Sequence, residues 1–232
     1  MIITASMKNV SGDSKDFIYN FYTSRRFNNT GCGGGAFGFD INYAEEVDYL
    51  IKNYRIKHFI ETGTNSGDTI EFLAKHYPDL NILSCELNRL SFNFATTRLK
   101  DFKNITIQNI SSNIFLDILN IDQKENNMYF LDAHWNDYWP LQDEIKLIKK
   151  GLILIDDFDI QYPGFSYDEY KGVKCDINYL KNAGITENVW INNPYAKYKY
   201  PMQNLNFKGG RAYICKNIDV ALFNNQYFIR VL

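Results

Sequence analysis

Between His58 and Ile155 the chain alternates five short apolar runs, His58 to Glu61, Asn81 to Cys85, Asn104 to Ile107, Met128 to Leu131 and Gly151 to Ile155, with four stretches of helical periodicity. The runs are too brief for helices and are flanked by polar or turn residues, which marks them as buried strands. The stretches Asp68 to His76, Arg89 to Phe102, Ser112 to Leu119 and Leu141 to Lys149 space their apolar residues for helices, and Pro140 stands where a helix start tolerates it. Such alternation buries a parallel sheet under helices on both faces. The predicted fold class is therefore α/β, a Rossmann-like doubly wound sheet. A preceding helix is expected over Tyr43 to Tyr54, another near Asp176 to Asn182, and further strands at Asn188 to Ile191 and Arg211 to Lys216.

At 232 residues with 45% hydrophobic content, the chain is sized for a single domain with a substantial core. The predicted division is one Rossmann-like domain over 41–232, preceded by an N-terminal flap or extension over 1–40. That extension carries a glycine-rich stretch, Gly31 to Gly38, expected to be a mobile loop. Twenty-five basic and 27 acidic residues leave a net charge of -2, which gives no footprint for a nucleic-acid backbone or an anionic membrane. No apolar run approaches the roughly 18–20 residues of a membrane span, and Met1 to Asp13 lacks a secretory apolar core, so a cytoplasmic location is expected. The four scattered cysteines form no Cys-x-x-Cys pair and read as reduced thiols. A small-molecule partner is the expectation, with homo-oligomerisation left open.

In open sheets of this class, ligands bind beyond the carboxyl ends of the strands. The first strand runs through Glu61-Thr62-Gly63-Thr64-Asn65-Ser66-Gly67-Asp68 straight into a helix. Gly63 and Gly67 would let the backbone turn sharply beside a ligand, and the amides at the helix start favour a carboxylate. The second strand ends in Glu86, an acid suited to gripping two ribose hydroxyls. A dinucleotide site would also use a glycine turn and a later acid. The spacing here is not Gly-x-Gly-x-x-Gly, and Glu61 would meet a pyrophosphate with like charge, whereas a cofactor bearing an ammonium and a sulfonium tolerates it. A tight turn that binds nothing would use the same glycines.

Taken together, Glu61-x-Gly63-x-Asn65-x-Gly67, Glu86, Leu131-Asp132-Ala133-His134-Trp135 and Ile155-Asp156-Asp157-Phe158 resemble the class I S-adenosylmethionine-dependent methyltransferases. The similarity is greatest to small bacterial metal-dependent O-methyltransferases of the macrocin and cephalosporin-tailoring group, and covers roughly Tyr43 to Lys216. The resemblance implies a mostly parallel seven-stranded sheet with a reversed last strand. It also implies a cofactor site drawn from Glu61, Gly63, Asn65, Gly67, Asp68, Glu86, Ser111 and Asp132. Asn109-Ile110-Ser111 stands where close relatives commonly carry Gly-Asp-Ser.

Asp132 ends the fourth strand and Asp156-Asp157 the fifth, so three carboxylates from neighbouring strands are expected to converge. Left alone they repel; an all-oxygen set relieved by a hard cation suits magnesium or manganese better than zinc. The bland alternative is a solvated acidic turn or a helix cap. His134 lies two residues beyond Asp132, on the same side of an extended segment, and its ordinary pKa suits a general base. Asp143 and Glu144, in the first turn of a helix, are accounted for by the helix dipole, and His58 and His76 receive no role. The aromatic residues Trp135, Tyr138, Trp139 and Tyr162 to Tyr167 suit a hydroxylated ring or simple packing. The expected activity is methyl transfer to a hydroxyl of a small molecule, a sugar or sugar-derived natural product among the candidates. A nicotinamide-dependent oxidoreductase and a non-catalytic nucleoside-cofactor-binding module remain as alternatives.

Overall fold

The predicted strands form in the expected order. The structure, a computed structural model, describes residues 14–24, 35–119, 121, 125–134, 138–200 and 208–232. Strands β1 (His58–Thr62), β2 (Asn81–Cys85), β3 (Ile105–Gln108), β4 (Asn127–Leu131) and β5 (Gly151–Ile155) are joined by helices α3 (Asp68–His76), α4 (Arg89–Arg98), α5 (Ser112–Ile118) and α6 (Leu141–Leu147). Two helices precede them, α1 (Ser14–Ser24) and α2 (Ile41–Tyr54). A two-stranded ribbon, β6 (Glu169–Tyr170) and β7 (Val173–Lys174), helix α7 (Ile177–Asn182) and strands β8 (Val189–Asn192), β9 (Ala212–Lys216) and β10 (Phe228–Arg230) follow.

The sheet runs β3-β2-β1-β4-β5-β9-β8-β10. Its first five strands pair in parallel, and β9 lies antiparallel to both β5 and β8. The sheet has eight strands where the resemblance implied seven: the extra one is β10, which pairs antiparallel with β8 at the edge. Its three residues are too few to show a period in sequence. Helix ends also shift. The helix expected to reach Lys149 stops at Leu147 because Ile148 turns extended and feeds β5, and the one expected to reach Phe102 stops at Arg98 with Leu99 as its cap.

Period-two alternation sends Leu152 and Leu154 of β5 into one core layer and Ile153 and Ile155 into the other. The first layer is covered by α1, α2 and α3, the second by α5, α6 and α7. Phe17 and Phe21 of α1 lie 5.7 and 4.9 Å from Phe72 of α3, and Tyr22 donates to the Ala36 carbonyl at 2.8 Å, so these N-terminal residues are part of the core. Gly31 to Gly34, with Arg25, Arg26, Cys32 and Trp135, lie outside the described residues. Cys85, Cys175 and Cys215 are buried thiols. Among the described residues no helix is long and apolar enough to cross a membrane.

The chain leaves β1 towards β2 and β3, then crosses back to β4 on β1's other side. That switch opens the sheet's carboxyl edge between β1 and β4, where a ligand fits.

Candidate active site

Gly63 leaves β1 at φ +88°, and a β-carbon there would sit 2.7 Å from the Asp132 carbonyl oxygen. Only glycine lets the β1 turn press against the end of β4. Its N–H and that of Thr64 both donate to the Cys85 carbonyl, tying the turn to β2. Gly67, at φ +81°, caps the start of α3 in the left-handed region that favours glycine, with Leu99 Cδ1 2.7 Å from where a β-carbon would stand. Between them Asn65 takes a left-handed conformation that asparagine tolerates, and its N–H donates to Glu86 Oε2 at 2.8 Å. Glu86 Oε1 accepts from the Asn88 N–H at 2.7 Å. The predicted ribose-binding carboxylate is thus fixed in place beside the glycine turn, and each oxygen keeps a lone pair for a hydroxyl. Asn109 donates to the Glu86 and Leu87 carbonyls, so the loop after β3 braces the same corner and Ser111 follows as the cap of α5.

Two predicted cofactor residues are spent differently. Asp68 accepts from Arg98, Ser66 Oγ and the Gly35 N–H, bolting the N-terminal turn onto α3. Glu61 is 2% exposed, lies opposite Ser84 in the β1–β2 pair, and accepts from the Ser84 hydroxyl at 2.5 Å. Burial pushes its carboxyl up to about 8, only partly offset by that hydrogen bond. Because the folded-state pKa lies above the unfolded one, the folded protein holds a proton that the unfolded chain has lost between about pH 4.5 and 8. Stability contributed here is complete below that window and falls as pH rises through it, by up to about 1.4 kcal/mol per unit. Glu61→Gln should therefore flatten the decline of melting temperature from pH 5 to 8 relative to wild type; superimposable pH curves would contradict this.

At the ends of β4 and β5 a cavity is lined by Asp132, His134, Trp139, Glu144, Asp156 and Asp168. Asp132 and Asp156 share this cavity and Asp157 adjoins Asp156: burial raises the pKa values of Asp132, Asp156 and Asp157, and neighbouring carboxylates raise them further. Asp132 reaches about 7. Asp157 turns left-handed at φ 47°, and a β-carbon on Gly209 would lie 3.4 Å from Asp156 Oδ1 and 3.5 Å from Asp157 Oδ1, so both oxygens face the bare backbone of that glycine. Among the described residues no three acidic, histidine or cysteine side chains are already drawn into metal-ligand positions.

His134 is half-exposed, hydrogen-bonded through Nε2 to Asp168, with Nδ1 3.8 Å from Asp132 Oδ1. The Asp168 bond, aided by the charge of Asp132 and opposed by burial, pushes its pKa up to about 9. At neutral pH it is an imidazolium among carboxylates, and must give up that proton before it can take one as a base.

Sequence reasoning missed Asp168, from the segment before β6, and misread Glu144. The helix dipole does not suffice for Glu144, which is fully buried beneath the acid cavity with neither oxygen in hydrogen-bond geometry among the described residues. Burial pushes it to about 7 against the pull of the Ser112 and Thr62 hydroxyls. A signal was present: Glu144 is three residues after Leu141 and four before Ile148, on the apolar face of α6. Of the aromatic residues, Trp139 stacks on Tyr179 at 4.6 Å and serves packing, while Tyr138 and Tyr167 remain 38% exposed. His76 bonds Asp48 and stacks on Phe17, and His58 bonds Glu125, both away from this edge.

No protein-family model matches the chain. It is 34% identical over 80 residues to the ribosomal RNA small subunit methyltransferase H of Campylobacter jejuni strain 81116, which covers 34% of this chain and 26% of that protein. The same enzyme from strain RM1221 matches at 34% over 59 residues, 25% of this chain and 19% of the relative. The chain thus spans about a quarter or less of the length of these curated relatives. Among solved structures, cofactor-bound Rv0187 from MTB superposes with a TM-score of 0.54 at 15% identity, covering 90% of this chain and 93% of that one. The O-methyltransferase TomG from Streptomyces achromogenes, involved in tomaymycin synthesis and solved in complex with SAM, gives 0.51 at 15% identity over 90% and 92%. The fold is the Rossmann-like fold of the class I methyltransferases.

Proposed function

We propose that the protein transfers a methyl group from S-adenosylmethionine to a hydroxyl of a small acceptor. The observation that carries this is the pairing, at one sheet edge, of a glycine turn closed onto Asp132 and braced by Glu86 with an acid cavity at the ends of β4 and β5. S-adenosylmethionine, when bound, supplies an electrophilic methyl carbon on a sulfonium. Glu86 would hold the two ribose hydroxyls, and the turn from Gly63 to Gly67 would hold the methionine end, with Asp132 beside it. Displacement at carbon then asks the protein for alignment, a deprotonated oxygen and exclusion of water. Asp132, whose pKa burial lifts to about 7, can take the acceptor proton, and His134, held by Asp168, joins it as a base once it has released its own proton. The exposed rings of Tyr138 and Tyr167, next in sequence to the cavity residues Trp139 and Asp168, suit a hydroxylated acceptor such as a sugar or sugar-derived natural product. The net charge of -2 supports a small acceptor over a nucleic acid.

The donor chemistry of Asp132, Asp156 and Asp157, all oxygen and mutually repelling, is of the kind a hard divalent cation such as magnesium or manganese takes, while among the described residues these side chains are not drawn together as a ligand set. These three residues would hold it, and it would supply polarisation of the acceptor hydroxyl.

Isothermal titration with S-adenosylhomocysteine tests the reading: saturable binding is expected, and none in folded protein overturns it. Glu86→Ala should weaken that binding by about 10- to 100-fold, the cost of losing charge-assisted bonds worth about 1.5–3 kcal/mol. Unchanged affinity would show that the ribose is held elsewhere.

A further inference from the structure

Glu144 of α6 lines the acid cavity, is fully buried, and has no hydrogen-bond partner on either oxygen among the described residues. A buried acid in that state costs the fold stability, so packing gives no reason to keep it. The buried hydroxyls of Thr62 and Ser112 are themselves without hydrogen-bond partners and do not hold it. Leu131, Leu141 and Ile155 line the same cavity, and against such apolar walls a charge is weakly screened and its pairing strongly rewarded. Among the described residues no lysine or arginine lines the cavity to provide that pairing. Four carboxyls, those of Asp132, Glu144, Asp156 and Asp168, face a single imidazole, His134. That imidazole is hydrogen-bonded to Asp168, with Asp132 Oδ1 3.8 Å from its other nitrogen. Arg211 is committed to Glu46 and Asp40. Glu144 also stands apart from Asp132, Asp156 and Asp157, the acids whose donor chemistry suits a hard cation. Its charge is left for a ligand, and the ligand it calls for is a cation with hydrogens to donate. Trp139 on the cavity wall suits the same guest, since an indole attracts cations.

We propose that the acceptor carries a protonated amine near the hydroxyl that is methylated, and that Glu144 receives this ammonium in the cavity. The inference rests on the methyl-transfer reading and narrows its acceptor to a hydroxylated amine, an amino sugar where the acceptor is a sugar. An ammonium brings three donors to a carboxylate, whereas a neutral sugar leaves the acid unpaired and a uronic acid meets it with like charge. Held as an ammonium, the nitrogen has no lone pair and cannot attack. The methyl carbon therefore leaves the sulfonium sulfur for the hydroxyl oxygen, the C–S bond breaking as the C–O bond forms. The hydroxyl proton passes to the bases at Asp132 and His134, and the ammonium keeps its own. Glu144 thus selects the acceptor and also directs the methyl group to oxygen.

The test uses the full chain and S-adenosylmethionine labelled in its methyl group. The probe is a small-molecule extract of the source cells, divided in two, with one half N-acetylated by acetic anhydride in bicarbonate, which caps amines and leaves hydroxyls. Label should enter the untreated half at least tenfold more than the acetylated half, the scale of losing a charged hydrogen-bond partner. Mass fragmentation should place the methyl group on oxygen. Glu144→Gln should label the untreated half at least tenfold less than wild type, with its affinity for S-adenosylhomocysteine unchanged. Equal labelling of the two halves by wild type overturns the inference and leaves methyl transfer to a hydroxyl standing. Label on nitrogen overturns it as well, because the amine would then be the nucleophile and not the anchor. Glu144→Gln that labels like wild type removes Glu144 from acceptor binding. Wild type that binds S-adenosylhomocysteine but labels neither half removes the small-acceptor reading and the inference with it.

Discussion

Arg211→Ala should be severely destabilising, by about 3–5 kcal/mol, the cost of leaving buried charges without their partner. In a chain of this size that is a fall of roughly 6–20 °C in melting temperature. Arg211 is 2% exposed; its Nε and Nη2 donate to Glu46 at 3.0 and 2.9 Å, and Nη1 to Asp40 at 2.5 Å. Glu46 is fully buried and Asp40 5% exposed, so neither carboxylate can turn to water once the guanidinium is gone. Asp40 also caps α2 by accepting from the Asn42 and Tyr43 N–H groups, so the loss spreads from the residue before β9 to the start of α2. Burial already raises the Glu46 carboxyl against the pull of Arg211. Without Arg211 only the Tyr198 and Tyr213 hydroxyls still oppose that rise, the folded state favours the protonated acid more strongly, and stability falls as pH rises through the raised value. The deficit should thus be larger at pH 8 than at pH 5. Adding Glu46→Gln should recover part of it. Melting curves at the two pH values decide: a deficit under about 2 °C, or one that shrinks at high pH, contradicts the account.

Glu46 also shows what could be read from the sequence and what could not. It falls on the apolar stripe of α2, between Tyr43 and Leu50, so a buried acid needing a cation was legible. Its partner, 165 residues away and just before β9, was not, because pairing between elements leaves no local pattern. The same division runs through the fold. Strands β1, β4 and β5 declared themselves because each is buried on both faces and bounded by turn residues, β2 and the edge strand β3 followed as short apolar runs between turns, and α3 was marked by the two glycines before it. That Asp132 and Asp156 share a cavity, with Asp157 adjoining, followed from their places at strand ends. Asp168 was hidden, since it reaches His134 from an irregular segment held by the Asp168 N–H to the Asp157 carbonyl at 2.7 Å. Glu61 was visible as a residue but not as a charge. Buried to 2% exposure, it is mostly protonated at neutral pH, so like-charge repulsion no longer counts against a pyrophosphate there, and Glu86 with the glycine spacing must carry that distinction.

Asp156→Asn should lower the rate of methyl transfer by about 100- to 10,000-fold, the usual span for removing a group that handles charge at the reacting atom. S-adenosylhomocysteine affinity should barely move. The side chain keeps its shape, and Asp156 stands at the end of β5, whereas the glycine turn and Glu86 belong to β1 and β2. The carboxylate's neighbours supply the reason for so large an effect. Burial, and after it Asp157 and Asp132, raise its pKa, so holding it ionised costs the fold. Neutralising it removes repulsion that the apo protein otherwise sustains, and the melting temperature at pH 8 should stay level or rise while turnover collapses. Opposite signs in stability and rate are what a charged group kept for chemistry produces, and a group kept for structure would lose both together. The measurement pairs single-turnover transfer to an acceptor found by mass gain of one methyl group with thermal melting of the apo variant. A variant that melts much lower and still turns over would place Asp156 in the scaffold and leave Asp132 and His134 to do the chemistry alone.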